Sequence, residues 1–234
     1  MLRLPKYSFA STGSSKQWIQ RQLADKYVKK AQELNFRSRA AFKLIQMDDQ
    51  FSFLRPSSTV VDLGCFSGGW SQVALSRCVR GSVLGVDKVR MDSLPGHVFI
   101  QGDITESATV EAVRASLDGK LVDVVLSDMA PAISGKKLDD HDNGIELNLV
   151  AAEFAEKVLA PGGWFVLKSF YGPKSSEFVL YLKSKYKLVR TAKPKASRPE
   201  SSEVYYVCAK FKGVDSIVSQ VPIDGGLQTP KHTS

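Results

Sequence analysis

The stretch VVDLGCFSGGWSQ, residues 60 to 72, contains an apolar run that ends in a glycine-rich turn and continues into a polar segment. This order is typical of a buried β-strand followed by a helix at the ligand-binding edge of a parallel sheet, where glycines let a ligand approach the backbone. The glycines are Gly64, Gly68 and Gly69, a spacing that departs from the G-x-G-x-x-G of dinucleotide-binding folds. The stretch therefore predicts a nucleotide-sized site and disfavours a cofactor with a diphosphate.

Further short runs rich in β-branched and apolar residues follow this first strand: SVLGVD, HVFIQGD, LVDVVLSD and GWFVLKS. Between the last two lies ELNLVAAEFAEKVLAPGG, in which apolar residues recur at helical spacing before a Pro-Gly-Gly stop. KLVRTAK and SEVYYVCAKF are two closing strands. This alternation predicts a doubly wound α/β fold with a seven-stranded, mostly parallel sheet covered by helices on both faces.

The charge balance points to a polyanionic partner. The 234 residues include 32 Lys and Arg against 24 Asp and Glu, a formal net charge of +8, which favours nucleic acid. The three cysteines are widely spaced and form no metal-ligand cluster, so we expect a reducing compartment and no metal. No apolar run is long enough to span a bilayer, so we expect no membrane association.

The chain is organised, on this interpretation, as a single domain over residues 13–212 with N-terminal basic helices and a loosely ordered polar tail over 213–234. Residues 1–12 are either an organellar targeting segment or a disordered basic arm, because they carry Lys, Arg and Ser but no acid. The first alternative predicts a mitochondrial matrix location and the second a cytoplasmic one.

Two carboxylates end successive strands. Asp87 ends the second predicted strand and Asp103 the third. In such folds a carboxylate at the end of the second strand accepts hydrogen bonds from ribose hydroxyls, and the next can meet the amino group of an adenine. The alternative is that both aspartates cap the helices that follow. The first alternative fits a cofactor with ribose and adenine but no phosphate, such as S-adenosylmethionine.

Lys168 ends the apolar run WFVLKSF, although burying an ammonium group is unfavourable unless it is paired. Asp128, in SDMAP, ends the neighbouring strand, so the two side chains should lie together at the carboxyl edge of the sheet. The alternative is a lysine whose stem is buried while its ammonium group reaches water.

Eight motifs resemble, in the same order, those of the FtsJ/RrmJ family of ribose 2′-O-methyltransferases that act on RNA. They lie between roughly residues 13 and 212 and read DKYVKKAQ, RSRAAFKL, VVDLG, GGWSQ, FIQGD, SDMAPAISG, LAPGGWFVLKSF and SSEVYYV. The resemblance implies a Rossmann-like class I methyltransferase fold, S-adenosylmethionine as cofactor, and a catalytic tetrad of Lys43, Asp128, Lys168 and Glu203. It also implies a cofactor site formed by Asp62, Gly64, Gly68, Gly69, Trp70, Asp87, Asp103 and Asp128.

The chemistry of 2′-O-methylation requires such residues, because a ribose hydroxyl must be positioned and lose its proton. Lys168 is the candidate general base, or the group that stabilises developing alkoxide charge. Basic residues flank the tetrad in sequence, and the candidates for phosphate contacts are Lys29, Lys30, Arg37, Arg39, Lys193, Lys195 and Arg198. Solvated helix and loop faces are the alternative. Phe170 and Tyr171 either stack on an RNA base or pack within the protein.

The chain is most similar to the family branch that acts on large-subunit ribosomal RNA, which implies that RNA or a subunit precursor as partner and a monomer when free. The tRNA anticodon-loop branch and a non-enzymatic ribosome-assembly factor are the alternatives. Two departures bear on the choice. Cys65-Phe66-Ser67 replaces small residues and a proline, and Ala132 stands where the family commonly has Asn. A bulky Phe66 that closed the cofactor site would favour the assembly factor.

Overall fold

The computed structural model describes residues 25–131 and 137–213, with the side chains of 137–140 excepted. Residues 1–12, Ala132 and the tail beyond Gly213 lie outside the described residues. No helix in the two described ranges is long and apolar enough to cross a membrane. In chain order the elements are α1 (Lys26–Glu33), α2 (Ala41–Phe51), β1 (Thr59–Leu63), α3 (Gly69–Arg77), β2 (Ser82–Asp87), β3 (His97–Gln101), α4 (Ser107–Ser116), β4 (Val122–Ser127), α5 (Lys137–Val158), β5 (Leu159–Phe170), α6 (Ser175–Lys185), β6 (Tyr186–Ala192) and β7 (Glu203–Phe211).

The strands form one seven-stranded sheet in the order β3-β2-β1-β4-β5-β7-β6. Strands β1 to β5 pair in parallel, as expected where helices connect successive strands. Strand β7 runs antiparallel to both of its neighbours, β5 and β6. The predicted seven-stranded, mostly parallel sheet is confirmed.

Helices cover both faces of this sheet, also as predicted. On one face α4, α5 and α6 enclose a core that includes Phe154 and Phe165. On the other face α2 and α3 enclose a second core that includes Leu44, Val73 and Tyr205. Because both faces are buried, the strands read as nearly continuous apolar runs in the sequence.

The antiparallel strand determines which residues meet at the carboxyl edge. Strands β4 and β5 end there at Ser127 and Phe170, and β7 begins there because Glu203 pairs with Phe170. The first residues of β7 therefore lie beside the last residues of β4 and β5, although they follow them far along the chain.

Candidate active site

Lys168 forms an ion pair with Asp128 at this edge. Its Nζ lies 3.2 Å from Oδ1 of Asp128, and its side chain is only 10% exposed. The ammonium group also donates a hydrogen bond to the backbone carbonyl of Asp128. The predicted contact is confirmed, and it accounts for a lysine within an apolar strand, because a buried charge persists where it is paired and hydrogen-bonded.

A second ion pair joins α2 to the start of β7. Nζ of Lys43 lies 2.7 Å from Oε1 of Glu203, and each side chain is 12% exposed. Burial raises the pKa of Glu203, but the charges of Lys43 and Lys168 outweigh burial, so the pKa lies below its ordinary value of 4.5. Glu203 is therefore ionised at neutral pH and holds Lys43 in place.

Tyr205 connects the two ion pairs. Its hydroxyl donates to Oδ1 of Asp128 at 2.8 Å, and Nζ of Lys43 lies 5.6 Å from its ring centroid. Burial first, and then the charge of Asp128, raises the pKa of Tyr205 well above 10. Tyr205 therefore stays a neutral donor that fixes the Asp128 carboxylate. The four predicted tetrad residues are brought together around this ring.

Tyr205 was not among the site residues predicted from the sequence. A signal existed in SSEVYYV, because side chains two residues apart in a strand share a face, which places Tyr205 on the same side as Glu203. The register confirms this arrangement, since Tyr205 pairs directly with Lys168 across β5 and β7.

A cavity of about 500 Å³ opens beside the ion pairs. Its walls come from the segments that follow β1, β2, β3 and β4, and four predicted cofactor residues line it: Gly64, Asp87, Asp103 and Asp128. Val86, Ile104 and Met129 give much of the remaining surface an apolar character. This volume falls within the range typical of small-molecule sites.

Gly64 shapes the floor of this cavity. Its φ is +69°, a conformation that residues with a side chain rarely adopt. Its backbone amide donates to the carbonyl of Val86 at 2.8 Å. A Cβ at this position would lie 2.2 Å from Cγ of Met129. Glycine is thus needed for both the turn and the width of the cavity.

Asp87 is held by backbone amides at the cavity wall. It accepts hydrogen bonds from the amide of Phe66 at 2.9 Å and from that of Val89 at 2.8 Å. The Phe66 side chain lines the cavity but is 58% exposed, so it lies at the rim and leaves the space open. This position opposes the closure that would favour an assembly factor.

Asp103 is oriented by Thr105 and Lys88. It accepts a hydrogen bond from the amide of Thr105 at 3.0 Å and forms an ion pair with Nζ of Lys88 at 2.6 Å. The hydrogen bond from Lys88, together with that from Thr105, lowers the pKa of Asp103 to about 2. The alternative role in helix capping is wrong, because Glu106 is the N-cap of α4 and no helix directly follows Asp87.

Asp62 lies beneath the cavity and is 1% exposed. It accepts a hydrogen bond from Oγ of Ser71 at 2.7 Å. Burial raises its pKa to about 7, opposed by the Ser71 hydrogen bond and reinforced by the carboxylates of Asp128 and Asp87. A cation bound nearby would favour the ionised form of Asp62.

Two further predicted cofactor residues, Gly69 and Trp70, lie close to Asp62. A smaller cavity of about 40 Å³ shares Gly64 and Asp128 with the larger one and is also lined by Asp62, Gly69 and Trp70. The Trp70 indole donates to the carbonyl of Ala40 at 2.9 Å and packs 5.9 Å from the ring of Tyr205. Trp70 therefore packs against Tyr205, the residue that connects the two ion pairs of the tetrad.

Gly68 lines neither cavity and instead makes room for Arg37. A Cβ on Gly68 would lie 3.0 Å from Cδ of Arg37. The Arg37 guanidinium donates to the carbonyls of Asp92 at 2.7 Å and Ser93 at 2.8 Å. The guanidinium of Arg37 is thus held by backbone carbonyls of the segment after β2, and its contact with RNA stays a prediction.

Arg39 and Arg198 line a polar cleft that leads to the tetrad. The cleft has a volume of about 370 Å³, and Lys43 and Glu203 lie in its wall. The carboxylate of Asp25 lies 2.6 Å from the Arg39 guanidinium and 3.7 Å from that of Arg198. Asp25 thus arranges two cations at the entrance to the site.

The other predicted RNA-binding residues are dispersed over the surface. Lys29 and Lys195 are exposed. Nζ of Lys30 lies 5.3 Å from the ring centroid of Phe42, and Lys193 donates to the carbonyl of Ser201 at 2.9 Å. Their contacts with RNA stay predictions. Within residues 25–131 and 137–213, no cluster of three His, Cys, Asp or Glu side chains suits a metal ion.

Comparisons with known proteins agree with this geometry. The sequence model of the FtsJ-like methyltransferase family matches residues 36–211. A ribosomal RNA large subunit methyltransferase E of Parvibaculum lavamentivorans is 43% identical over 224 residues, which cover 91% of this chain and 86% of that protein. The protein of the same name from Methylobacillus flagellatus is 43% identical over 198 residues, 84% of this chain and 96% of its own.

A solved structure shares the fold. It is described as a ribosomal RNA methyltransferase from Plasmodium falciparum, with a TM-score of 0.70 and 36% identity, and the match covers 76% of this chain and all of that one. With the family match over residues 36–211 and relatives above 40% identity, the chain belongs to the FtsJ-like methyltransferase family.

Proposed function

We propose that the protein methylates a ribose 2′-hydroxyl of large-subunit ribosomal RNA with S-adenosylmethionine as the methyl donor. One observation carries the proposal: two buried ion pairs, Lys168 with Asp128 and Lys43 with Glu203, lie beside a cavity of about 500 Å³. The names of the bacterial relatives support ribosomal RNA as the substrate.

The residues around the cavity fit S-adenosylmethionine. Two backbone amides orient Asp87, whose carboxylate keeps free lone pairs for ribose hydroxyls. Asp62 and Asp128 provide negative charge for a ligand with an amino and a sulfonium group. Apolar side chains such as Ile104 suit a purine. When bound, the cofactor supplies a methyl group that its sulfonium centre already activates.

The tetrad performs the proton chemistry. Lys168 first releases the proton of its ammonium group to solvent, and the neutral amine then takes up the proton of the 2′-hydroxyl as the oxygen attacks the methyl group. Asp128, 3.2 Å away, stabilises the ammonium group that forms again. Glu203 orients Lys43 so that its ammonium group donates to the reacting oxygen and stabilises its developing negative charge. Tyr205 keeps the Asp128 carboxylate in position through its 2.8 Å hydrogen bond.

The cleft with Arg39 and Arg198 is the entry for the RNA backbone. Both guanidinium groups line the cleft and contact the carboxylate of Asp25, so a phosphate would find two cations already oriented. Such contacts position the strand without reading its sequence. The target ribose would then reach Lys43 and Lys168 from this side.

The test measures transfer of labelled methyl groups from S-adenosylmethionine to purified large-subunit ribosomal RNA, large-subunit particles and tRNA. Lys168→Ala should lower transfer by about a hundredfold to ten-thousandfold, the usual contribution of a general base. Calorimetry should show nearly unchanged cofactor binding by this variant. Lys120→Ala, an exposed lysine remote from the cavity, is the matched control.

Two results would contradict the proposal. Ordinary turnover by Lys168→Ala would remove that residue from the chemistry. Methylation of tRNA but not of ribosomal RNA by the wild-type protein would assign the substrate to the other branch of the family.

We also propose a large-subunit precursor as the physiological substrate, a monomeric free protein and a mitochondrial location. The location is supported only by the composition of residues 1–12, since the relatives named above are bacterial. Imaging of the tagged full-length chain tests the location, and sedimentation of the purified protein tests the oligomeric state.

A further inference from the structure

A groove of about 380 Å³, separate from the cofactor cavity and from the cleft with Arg39 and Arg198, lies between α6 and the paired strands β6 and β7. Val179, Val204 and Tyr206 give it an apolar floor. Tyr206 is 3% exposed, and its ring lies 5.9 Å from that of Phe178 in the core. The floor is therefore fixed by the fold, and a ligand would find the groove already formed.

Tyr171 forms one wall of this groove and is 77% exposed, the highest value among the large hydrophobic side chains of the described residues. Its backbone amide donates to the carbonyl of Ser202 at 3.0 Å, so the main chain is anchored while the ring faces solvent. Phe170, which precedes it, is partly buried. Phe170 therefore packs within the protein, whereas the ring of Tyr171 is free to stack on a ligand.

The register of the sheet places this groove next to the tetrad. Glu203 and Val204 are consecutive in β7, so their side chains lie on opposite faces of the sheet. Lys168 shares the face of Glu203, whereas the groove lies on the face of Val204. A strand of RNA that crosses the sheet edge at Lys168 would therefore pass a neighbouring nucleotide over Tyr171.

The lining suits a nucleobase with its phosphate. Ser175, Ser176 and Thr191 offer hydroxyl groups, and Lys183 is the one charged side chain among the residues that line the groove. Aromatic rings stack on every base, because each base has a π-face. The net charge of +8 and the continuity with the tetrad edge favour RNA over a protein segment.

We propose that this groove binds an unstacked base of single-stranded RNA next to the methylated nucleotide, with Tyr171 as the stacking platform and Lys183 as a phosphate contact. The inference rests on the proposed function, since it assigns a subsite for the same substrate. The proposed subsite predicts that the enzyme methylates a nucleotide whose neighbouring base can unstack from the RNA and bind in the groove.

The test compares two fluorescent octamers of equal charge, oligouridylate and a base-free ribose-phosphate chain, by anisotropy. The wild-type protein should bind oligouridylate at least about tenfold more tightly, as expected when one base stacks. Tyr171→Ala should lose about tenfold affinity for oligouridylate and none for the base-free chain, and Tyr171→Phe should retain the preference. Lys183→Gln should weaken binding of both chains and reduce the salt dependence by about one ion.

Leu121→Ala is the matched control, because Leu121 is 50% exposed just before β4, remote from the carboxyl edge of the sheet. A wild-type protein that binds both octamers equally, or a Tyr171→Ala variant that keeps the preference, overturns the subsite and leaves the groove to a protein partner. Methyl transfer to ribosomal RNA is measured on the same preparations. Absence of transfer by the wild type, with the base preference intact, overturns the proposed function instead.

Discussion

Replacing Asp62 by Asn should stabilise the protein at alkaline pH and weaken cofactor binding at the same time. The carboxylate is fully buried, and its pKa of about 7 compares with 3.8 for an ordinary aspartate. Between these two values the folded state holds a proton that the unfolded state has lost, so the free energy of unfolding falls as pH rises and stops falling above about pH 7. A pKa difference of about three corresponds to about 4 kcal/mol. Asn has a similar shape but carries no charge to bury.

Urea unfolding at pH 5.5 and pH 8.5 measures this effect. We expect Asp62→Asn to exceed the wild type by about 2 to 4 kcal/mol at pH 8.5, and the difference to shrink by about 2 kcal/mol at pH 5.5, where the wild-type carboxyl is mostly protonated. Asp92→Asn, an exposed aspartate, is the control. A difference that does not change with pH, or a less stable variant at pH 8.5, would refute the reasoning.

Calorimetry completes the same experiment. Because the ligand is cationic near its sulfonium and amino groups, wild-type affinity for S-adenosylmethionine should rise between pH 6 and pH 8 as Asp62 ionises. Asp62→Asn should bind weakly at both pH values. Asp62 would then lower the stability of the protein while it strengthens cofactor binding, a trade-off that is common at binding sites.

Other substitutions test the rest of the site. Gly64→Ala should weaken cofactor binding at least about tenfold, because the new methyl group collides with the cavity wall; Gly119→Ala, with a φ of +72° and nothing within 4 Å, shares only the backbone strain and should bind normally. Tyr205→Phe should lower kcat by about tenfold with little change in KM, since it removes one hydrogen bond to a charged group and keeps the ring; an unchanged kcat would remove Tyr205 from the positioning of Asp128. In salt titrations of RNA binding, Arg39→Gln should reduce the slope by about one, because Arg39 lines the cleft that leads to the tetrad; an unchanged slope would remove Arg39 from the phosphate contacts.

The sheet and its ligand-binding edge were predictable from the sequence, because parallel strands joined by helices bring their carboxyl ends to one side. For the same reason Asp87, Asp103 and Asp128 were correctly expected to lie together, and they line one cavity. The contact between Lys168 and Asp128 also follows from strand order alone.

Other parts of the site depend on information that a linear pattern does not carry. The membership of Lys43 and Glu203 in the tetrad came from family resemblance, and their ion pair was not predicted, because nothing local in the sequence shows that the last strand inserts between β5 and β6. Arg37 and Arg39 looked equivalent as basic residues, yet Arg37 donates to backbone carbonyls of the segment after β2, whereas Arg39 forms an ion pair with Asp25, donates to the carbonyl of Ala196 and lines the cleft. Net charge shows how many cations there are, whereas their partners appear only in three dimensions.

The insertion of β7 between β5 and β6 has a consequence for synthesis on the ribosome. Strands β5 and β6 are made first but have no direct pairing with each other, so β5 exposes an open edge until residues 203–211 have emerged. Chains interrupted before Glu203 would lack both the strand that pairs with the edge of β5 and the partner of Lys43. Catalytic competence and protection of the edge therefore arise in the same late folding event, and a nascent chain remains inactive until that event is complete.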